Sequence, residues 1–167
     1  VEKSCNVVLA HHPIIFSGLK KLTGSSYIER TIIKAIKQDI AILPVHTNLD
    51  SVHPGGVNSR LAEILELQDC EVMMPKEEMD GRPFTTGMGL IGHLSKDMAV
   101  DYFFHYLAEK LELKSFKHTP VIQNTIRRVA ICGGSGSFLL DRAAQLSADV
   151  FITSDFKYHQ FFDADGQ

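Results

Sequence analysis

The chain contains no tryptophan, three cysteines, and no long run of apolar or basic residues. No apolar stretch approaches the ~18 residues that a membrane-spanning helix needs, so no membrane attachment is expected. Cys5, Cys70 and Cys132 are far apart and odd in number, which argues against a disulfide scaffold or a zinc site made of cysteines and favours a reduced, cytoplasmic protein. Lysine and arginine do not cluster and the net charge is −3, so nucleic acid is not expected as a partner.

The composition allows one sizeable hydrophobic core or two small ones. Of the 167 residues, 44% are hydrophobic and 22% are charged, which is typical of a globular protein. The chain begins beside a predicted strand without a methionine and ends in a turn-like Asp-Gly sequence. We therefore expect it to be a fragment of a longer protein.

Predicted strands and helices alternate along the chain, which favours an α/β fold of two lobes, each a mostly parallel sheet flanked by helices. The first lobe is predicted at 1–75, the second at 89–167, and an aperiodic junction with two prolines lies at 76–88. Strands are predicted at 5–10, 40–46, 89–94, 114–120, 128–132 and 150–153. Helices are predicted at 26–38, 57–67, 97–112, 138–146 and 156–162, the first with Ser26 and Glu29 at capping-box spacing.

Two histidine clusters each follow an apolar run. His11 and His12 follow the first predicted strand, and His46, with Asp50 four residues later, follows the second. Parallel strands bring their carboxyl ends to one edge of a sheet, where α/β proteins form their sites. Imidazole and carboxylate ligands suit Zn, Fe, Mn, Ni or Co better than Ca or Mg. The sequence therefore predicts a divalent-metal site at this edge of the sheet, with one metal or two.

A structural interpretation of these histidines competes with the metal site, since a histidine after a strand is often a polar residue with a backbone partner. Side chains of adjacent residues point to opposite sides of an extended chain. One metal could not easily take both His11 and His12, whereas two metals could each take one.

A glycine-rich segment joins a predicted strand to a predicted helix at Gly133-Gly134-Ser135-Gly136-Ser137. Backbone N–H groups of Gly134, Ser135 and Gly136 are candidates to bind the anionic part of a cofactor or substrate. The segment is neither a complete dinucleotide fingerprint nor a P-loop. A tight turn without a ligand is the more frequent role of such a sequence.

Asp155 and His159 are the candidate catalytic residues. Asp155 follows the last predicted strand, where it is expected to cap the next helix. His159 lies on that helix, and an imidazole near a cleft can carry protons at neutral pH. The alternative is a helix cap followed by a surface histidine.

Five segments together resemble the GTP cyclohydrolase 1 type 2 homologue family, dinuclear-metal proteins also named after an Ngg-interacting factor. They are Ala10–Phe16, His46–Asp50 with Gly55–Asn58, Gly89–Gly92, Val129–Phe138, and Ala148–Asp155 with Tyr158-His159. Their order and approximate spacing agree over nearly the whole chain.

The resemblance implies two divalent metals per subunit in a cleft between the lobes, held by His11, His12 and Asp50, with His46 beside them. It also implies a histidine and a glutamate from a segment beyond Gln167, a ring-like homohexamer, and, in some members, an inserted domain. We expect the insertion to enter at the 76–88 junction, with residues missing there.

Metal-dependent hydrolysis of a nucleotide-like or other heterocyclic small molecule is the expected activity, because two metals can activate water and hold an acyl or phosphoryl oxygen. Two alternatives stay open. One is a metal-binding or interaction protein whose ring has little turnover of its own. The other is a Rossmann-like nucleotide binder that uses only the glycine-rich segment.

Overall fold

A computed structural model describes residues 4–76 and 85–166 of the chain. The chain divides into two compact units, Val1–Leu49 and Asp50–Gln167. Among the described helices, none has the length and apolar character to cross a membrane.

The first unit is built around a two-stranded parallel sheet. Its elements are β1 (Val7–Ala10), α1 (Tyr27–Lys37), β2 (Ala41–Pro44) and α2 (Thr47–Asp50), whose last residue belongs to the second unit. Val7 pairs with Ala41 and Ala10 pairs with Pro44, so both strands end at the same level. Each strand is therefore followed at the same edge by its histidine cluster, as predicted.

The predicted capping box at α1 is present with an extension. Ser26 adopts an extended backbone conformation and its hydroxyl accepts a hydrogen bond from the Glu29 N–H at 3.2 Å. The Glu29 carboxylate reaches back to accept from the N–H groups of Thr23 at 2.7 Å and Gly24 at 2.9 Å. The helix start thereby also orders the loop that precedes it.

The second unit contains a five-stranded mixed sheet with β5 at its centre. Its elements are β3 (Val52–His53), α3 (Val57–Ile64), β4 (Gln68–Pro75), β5 (Thr85–Ala99), α4 (Val100–Lys110), β6 (Thr125–Cys132), a 3-10 turn (Ser137–Leu139) leading into α5 (Leu140–Gln145), β7 (Val150–Thr153) and α6 (Gln160–Asp163). β3, β4 and β6 all pair with β5, and β7 pairs with β6.

Apolar side chains cover both faces of this sheet. One cluster joins Leu90 and Val129 of the sheet to Leu65, near α3, and to Phe103 of α4. The other joins Ile91 and Ala130 to Leu139 and Ala143, beside and within α5. The sheet is a middle layer between helices, as expected for an α/β fold.

The prediction of mostly parallel sheets is wrong. β1–β2 and β6–β7 are parallel, whereas β3–β5, β4–β5 and β5–β6 are antiparallel. The alternation of predicted strands and helices suggested parallel strands, because a helix commonly connects two parallel neighbours. Here helices cover both faces of strands that run in opposite directions.

Two segments differ from their predicted structure. β4 was not predicted, for two reasons. A register shift between Gln68 and Glu71 interrupts the alternation of its side chains. Both its faces are also apolar, since Val72 packs in one cluster and Met73 in the other. The predicted strand at 114–120 is wrong, since those residues form no regular element.

The predicted lobes at 1–75 and 89–167 do not coincide with the two compact units, which divide between Leu49 and Asp50. Pro75 of β4, the residue before the junction at 76–88, pairs with Gly87 of β5, which lies within the junction. Most of the junction, 77–84, lies outside the described residues.

Candidate metal centre

Three imidazoles lie together where β1 and β2 end. The ring centroids are 4.6 Å apart for His11 and His12, 4.8 Å for His11 and His46, and 5.0 Å for His12 and His46. One ligand nitrogen from each ring lies within 4.8 Å of the other two. His11 and His12 are exposed and His46 is half-buried, so the group is open to a ligand.

The expectation that His11 and His12 point to opposite sides is wrong. That expectation assumed an extended backbone, but β1 ends at Ala10 and the chain bends at both histidines. The bend turns both rings to one side, where they meet the ring of His46.

His11 has one nitrogen already assigned to a partner. Its Nδ1 lies 3.0 Å from the carbonyl oxygen of Val45. Because a carbonyl can only accept, Nδ1 carries the proton and Nε2 keeps a free lone pair. This is the arrangement that orients imidazole ligands in metal sites.

The spacing of the three nitrogens fits a transition metal. Metal–imidazole bonds of about 2.0–2.1 Å place two nitrogens on one ion at most ~4.2 Å apart. The three ligand nitrogens of this group lie within 4.8 Å of one another, a slightly wider spacing. The widest pair would close by about half an ångström around one ion, or the nitrogens would divide between two ions spaced as in known two-metal sites.

Asn48 holds the turn that carries His46. Its side-chain oxygen accepts hydrogen bonds from the N–H groups of His46 at 2.7 Å and Leu49 at 3.1 Å. Its side-chain nitrogen donates to the Pro44 carbonyl at 3.3 Å. The sequence offered a signal for this role, because asparagine commonly stabilises the turn that follows a strand, but we did not assign it.

Asp50, the predicted carboxylate ligand, is the first residue of the second unit. Its carbonyl accepts a hydrogen bond from the side-chain nitrogen of Asn58 at 3.0 Å. Burial raises the pKa of the Cys132 thiol, and the negative charge of Asp50 raises it further. The group of candidate metal ligands formed by His11, His12 and His46 does not include the Asp50 carboxylate.

The glycine-rich segment is tied to β7 by its own backbone. The N–H of Gly136 donates to the Thr153 hydroxyl at 2.9 Å, and the N–H of Gly133 donates to the side-chain oxygen of Asn58 at 2.8 Å. The Gly134 carbonyl accepts from the hydroxyls of Thr153 and Ser154 at 2.9 and 2.8 Å. Of the three amide groups predicted to bind an anion, that of Gly136 is thus already engaged. Binding through Gly134, Ser135 and Gly136 stays a prediction.

Beside this segment lies an open, polar depression of about 550 Å³. It is lined by Ser135, Ser137, Ser154, Asp155, Phe156, Lys157 and Gln160. An anion there would meet serine hydroxyls and the Lys157 ammonium in place of a closed backbone cradle. Asp155 contributes to this lining, whereas His159 is an exposed residue outside it.

Asp155 does not cap the last helix, which is a correction to the predicted helix at 156–162. α6 covers only Gln160–Asp163, and His159 precedes it without a side-chain cap. The side-chain amide of Gln160 bonds this turn instead. Its oxygen accepts from the Lys157 N–H at 2.7 Å, and its nitrogen donates to the Ser137 hydroxyl at 2.7 Å. The longer side chain satisfies the turn, so Asp155 is not needed there.

Comparison with known proteins finds relatives along the whole chain. The family model described as Duf34/NIF3 (NGG1p interacting factor 3) matches residues 1–167. A GTP cyclohydrolase 1 type 2 homolog from Clostridium perfringens is 34% identical over 158 residues, 95% of this chain and 58% of the relative. The crystal structure of a Bacillus cereus protein related to NIF3 matches with a TM-score of 0.75 and 25% identity, covering 98% of this chain and 70% of that chain.

The relatives differ in length in an informative way. The chain covers 58% of the C. perfringens relative, and their alignment of 158 residues is slightly shorter than this chain. A Staphylococcus epidermidis homolog, 26% identical, aligns over 263 positions and covers 98% of this chain and 71% of the relative. That alignment has about a hundred more positions than this chain has residues. Some relatives thus align with about a hundred additional positions within the matched region and others without them. That such a segment enters at 76–88 stays a prediction.

Proposed function

The chain belongs to the Duf34/NIF3 family, and from that premise we propose that it is a dinuclear metal-binding protein that hydrolyses a small nucleotide-like or heterocyclic substrate. The observation that carries the proposal is the group formed by His11, His12 and His46. Neutral imidazole is the commonest metal ligand among protein side chains, and three imidazoles can be shared by one divalent metal.

His11 through Nε2, together with His12 and His46, would hold the metal, and the family resemblance adds Asp50 as a carboxylate ligand. Imidazole and carboxylate donors suit Zn, Fe, Mn, Ni or Co, among which cellular supply also decides. A divalent metal supplies a water of lowered pKa and an electrophile for a substrate oxygen. Two metals per subunit are proposed on the family resemblance.

The polar depression of the second unit is proposed to bind an anionic group. Ser135, Ser137 and Lys157 line the polar depression and can hold a phosphate or another anionic group through charge-assisted hydrogen bonds. Asp155 lines the same depression and is proposed to move a proton, as is the exposed His159. General acid–base groups act on a substrate only within hydrogen-bond reach, so Asp155 is the better placed for a ligand in this depression.

A non-catalytic role in a ring oligomer is the second candidate, and an exposed apolar surface favours it. Val7 and Leu9 of β1 are 55% and 69% exposed, and contiguous exposed apolar residues commonly mark surfaces that other proteins cover. The homohexamer and the cytoplasmic location rest on the family resemblance and the cysteine pattern.

Metal content tests the proposal directly. Protein purified without chelator should contain about two divalent metals per chain by inductively coupled plasma mass spectrometry, and His11→Ala or Asp50→Ala should remove most of it. His105→Ala is the matched control, because the exposed His105 bonds its own helix through the Asp101 carbonyl. Bound metal without metal-dependent turnover across a panel of nucleotides and heterocycles would favour the second candidate. An absence of metal would contradict the proposed metal-dependent hydrolase.

A further inference from the structure

Asn58 is a buried polar residue whose two polar atoms serve different segments. It lies in the first turn of α3 and is 3% exposed. Its side-chain nitrogen donates to the Asp50 carbonyl at 3.0 Å, and its side-chain oxygen accepts from the Gly133 N–H at 2.8 Å. A buried amide is costly unless it is bonded. Here one side chain connects the end of α2, the start of α3 and the residue after β6.

The connection is anchored on the Gly133 side. A side-chain carbon at Gly133 would lie 2.9 Å from a methyl carbon of Val57 and 3.4 Å from one of Leu61. The first turn of α3 is therefore packed directly on the glycine-rich segment. β6 ends there at Cys132, which is 1% exposed. The side-chain oxygen of Asn58 is therefore bonded to a backbone N–H next to the core of the second unit.

The Asp50 side depends on support from outside its own element. Asp50 ends α2, a helix of four residues, and helices this short are not stable by themselves. A hydrogen bond from Asn58 to the Asp50 carbonyl holds the backbone from which the Asp50 carboxylate extends.

We propose that Asn58 is a positioning residue that fixes Asp50 against the glycine-rich segment and so sets the geometry of the metal site. This inference rests on the proposed function, since it matters chemically only if Asp50 is a ligand. It goes further by assigning a role to a residue that would not itself bind the metal. Removing a residue that is hydrogen-bonded to a metal ligand typically lowers metal affinity by roughly 10–100-fold.

The adjacent Ser59 provides a matched control. It is also buried, at 5% exposure, on the same turn of α3. Its hydroxyl lies 2.8 Å from Nδ1 of His53 and not against Asp50. Loss of Ser59 removes a buried hydrogen bond of α3 without touching the Asp50 carbonyl, so it reports the purely structural effect.

Cobalt binding to the full chain tests the role. The metal-free protein is titrated with CoCl₂, and affinity is measured together with the visible absorption bands, which report the number and geometry of ligands. Asn58→Ala should weaken Co²⁺ binding by roughly tenfold or more and shift the bands, whereas Ser59→Ala should match the wild type. Circular dichroism confirms that each variant is folded. Asn58→Asp keeps an acceptor for Gly133 and removes the donor to Asp50, so it should also bind Co²⁺ weakly, and it serves if Asn58→Ala does not fold.

The outcomes separate the two proposals. Wild-type protein that binds no Co²⁺ overturns the proposed function and this inference with it. Wild-type binding with unchanged affinity and spectrum in Asn58→Asp and in any folded Asn58→Ala overturns the positioning role alone. An equal loss in Ser59→Ala would also overturn it, because the effect would then belong to α3 as a whole.

Discussion

At the scale of single residues, Glu29 shows how a buried carboxylate organises a loop. It is 6% exposed and is the one buried residue among the described residues before 50. Hydrogen bonds from the Thr23 backbone and hydroxyl, followed by those from Ser25 and Ser26, lower its pKa from 4.5 to about 2. A lowered pKa in the folded state stabilises the fold above the unfolded pKa, and that stabilisation is lost as the pH falls from about 4.5 towards 2.

Glu29→Gln should therefore speed amide exchange at 23–26 at neutral pH, because the ionised acceptor is the stronger one. The difference from the wild type should shrink as the pH approaches 2, where Glu29 becomes protonated. Nuclear magnetic resonance exchange measurements at several pH values check this. Glu63→Gln is the control, since Glu63 makes only an exposed ion pair with Arg60. A difference that stays constant with pH would contradict the assignment.

At the scale of elements, the turn between β6 and α5 shows that a glycine can be required by packing. A side-chain carbon at Gly136 would lie 2.6 Å from a carbon of Cys132 and 2.6 Å from the Thr153 hydroxyl. Gly134, by contrast, has a positive φ of 71° and open space around it. The two glycines are thus needed for different reasons, close approach in one case and backbone conformation in the other.

Gly136→Ala should lower the free energy of unfolding by about 1–3 kcal/mol through overpacking. Gly134→Ala should cost about 1–2 kcal/mol through strain at positive φ. The two effects differ in kind: only Gly136→Ala should weaken the contact with β7, detected as faster amide exchange at Gly136. Urea denaturation gives the stabilities. Gly136→Ala with wild-type stability and exchange would show that the turn can shift to admit a methyl group.

At the scale of the whole molecule, the described hydrophobic core belongs to the second unit. Its buried apolar residues begin at Ala62, with Phe103, Val129 and Ala130 fully enclosed. The first unit instead exposes apolar residues of β1 and β2, including Leu43 at 54%. Local stability follows buried contacts, so the sheet around β5 and β6 should be the most protected part of the chain.

Hydrogen exchange by mass spectrometry should show slow exchange in peptides of β5 and β6 and fast exchange in β1 and β2. Phe103→Ala should reduce protection in β5 and β6, because emptying a buried phenylalanine site costs about 3–5 kcal/mol. Tyr102→Ala, at a neighbouring position on α4 that is 63% exposed, should leave that protection unchanged. Equal protection in β1 and β6 would contradict this distribution of stability.

The sequence by itself determined the features that depend on local order along the chain. These were the α1 cap at Ser26, the strand that precedes each histidine cluster, and the resemblance to the family, which the match over residues 1–167 confirms. Each rests on neighbouring residues or on a preserved order of motifs.

Only the tertiary structure decided what depends on residues distant in sequence. The antiparallel pairing of β4, β5 and β6 was hidden because helices cover both sheet faces and remove the alternation that marks a half-exposed strand. The common side taken by His11 and His12 follows from a bend that no period predicts. The bridge from Asn58 to Gly133 spans 75 residues. Such contacts form only when the fold brings the segments together, so no local pattern in the chain encodes them.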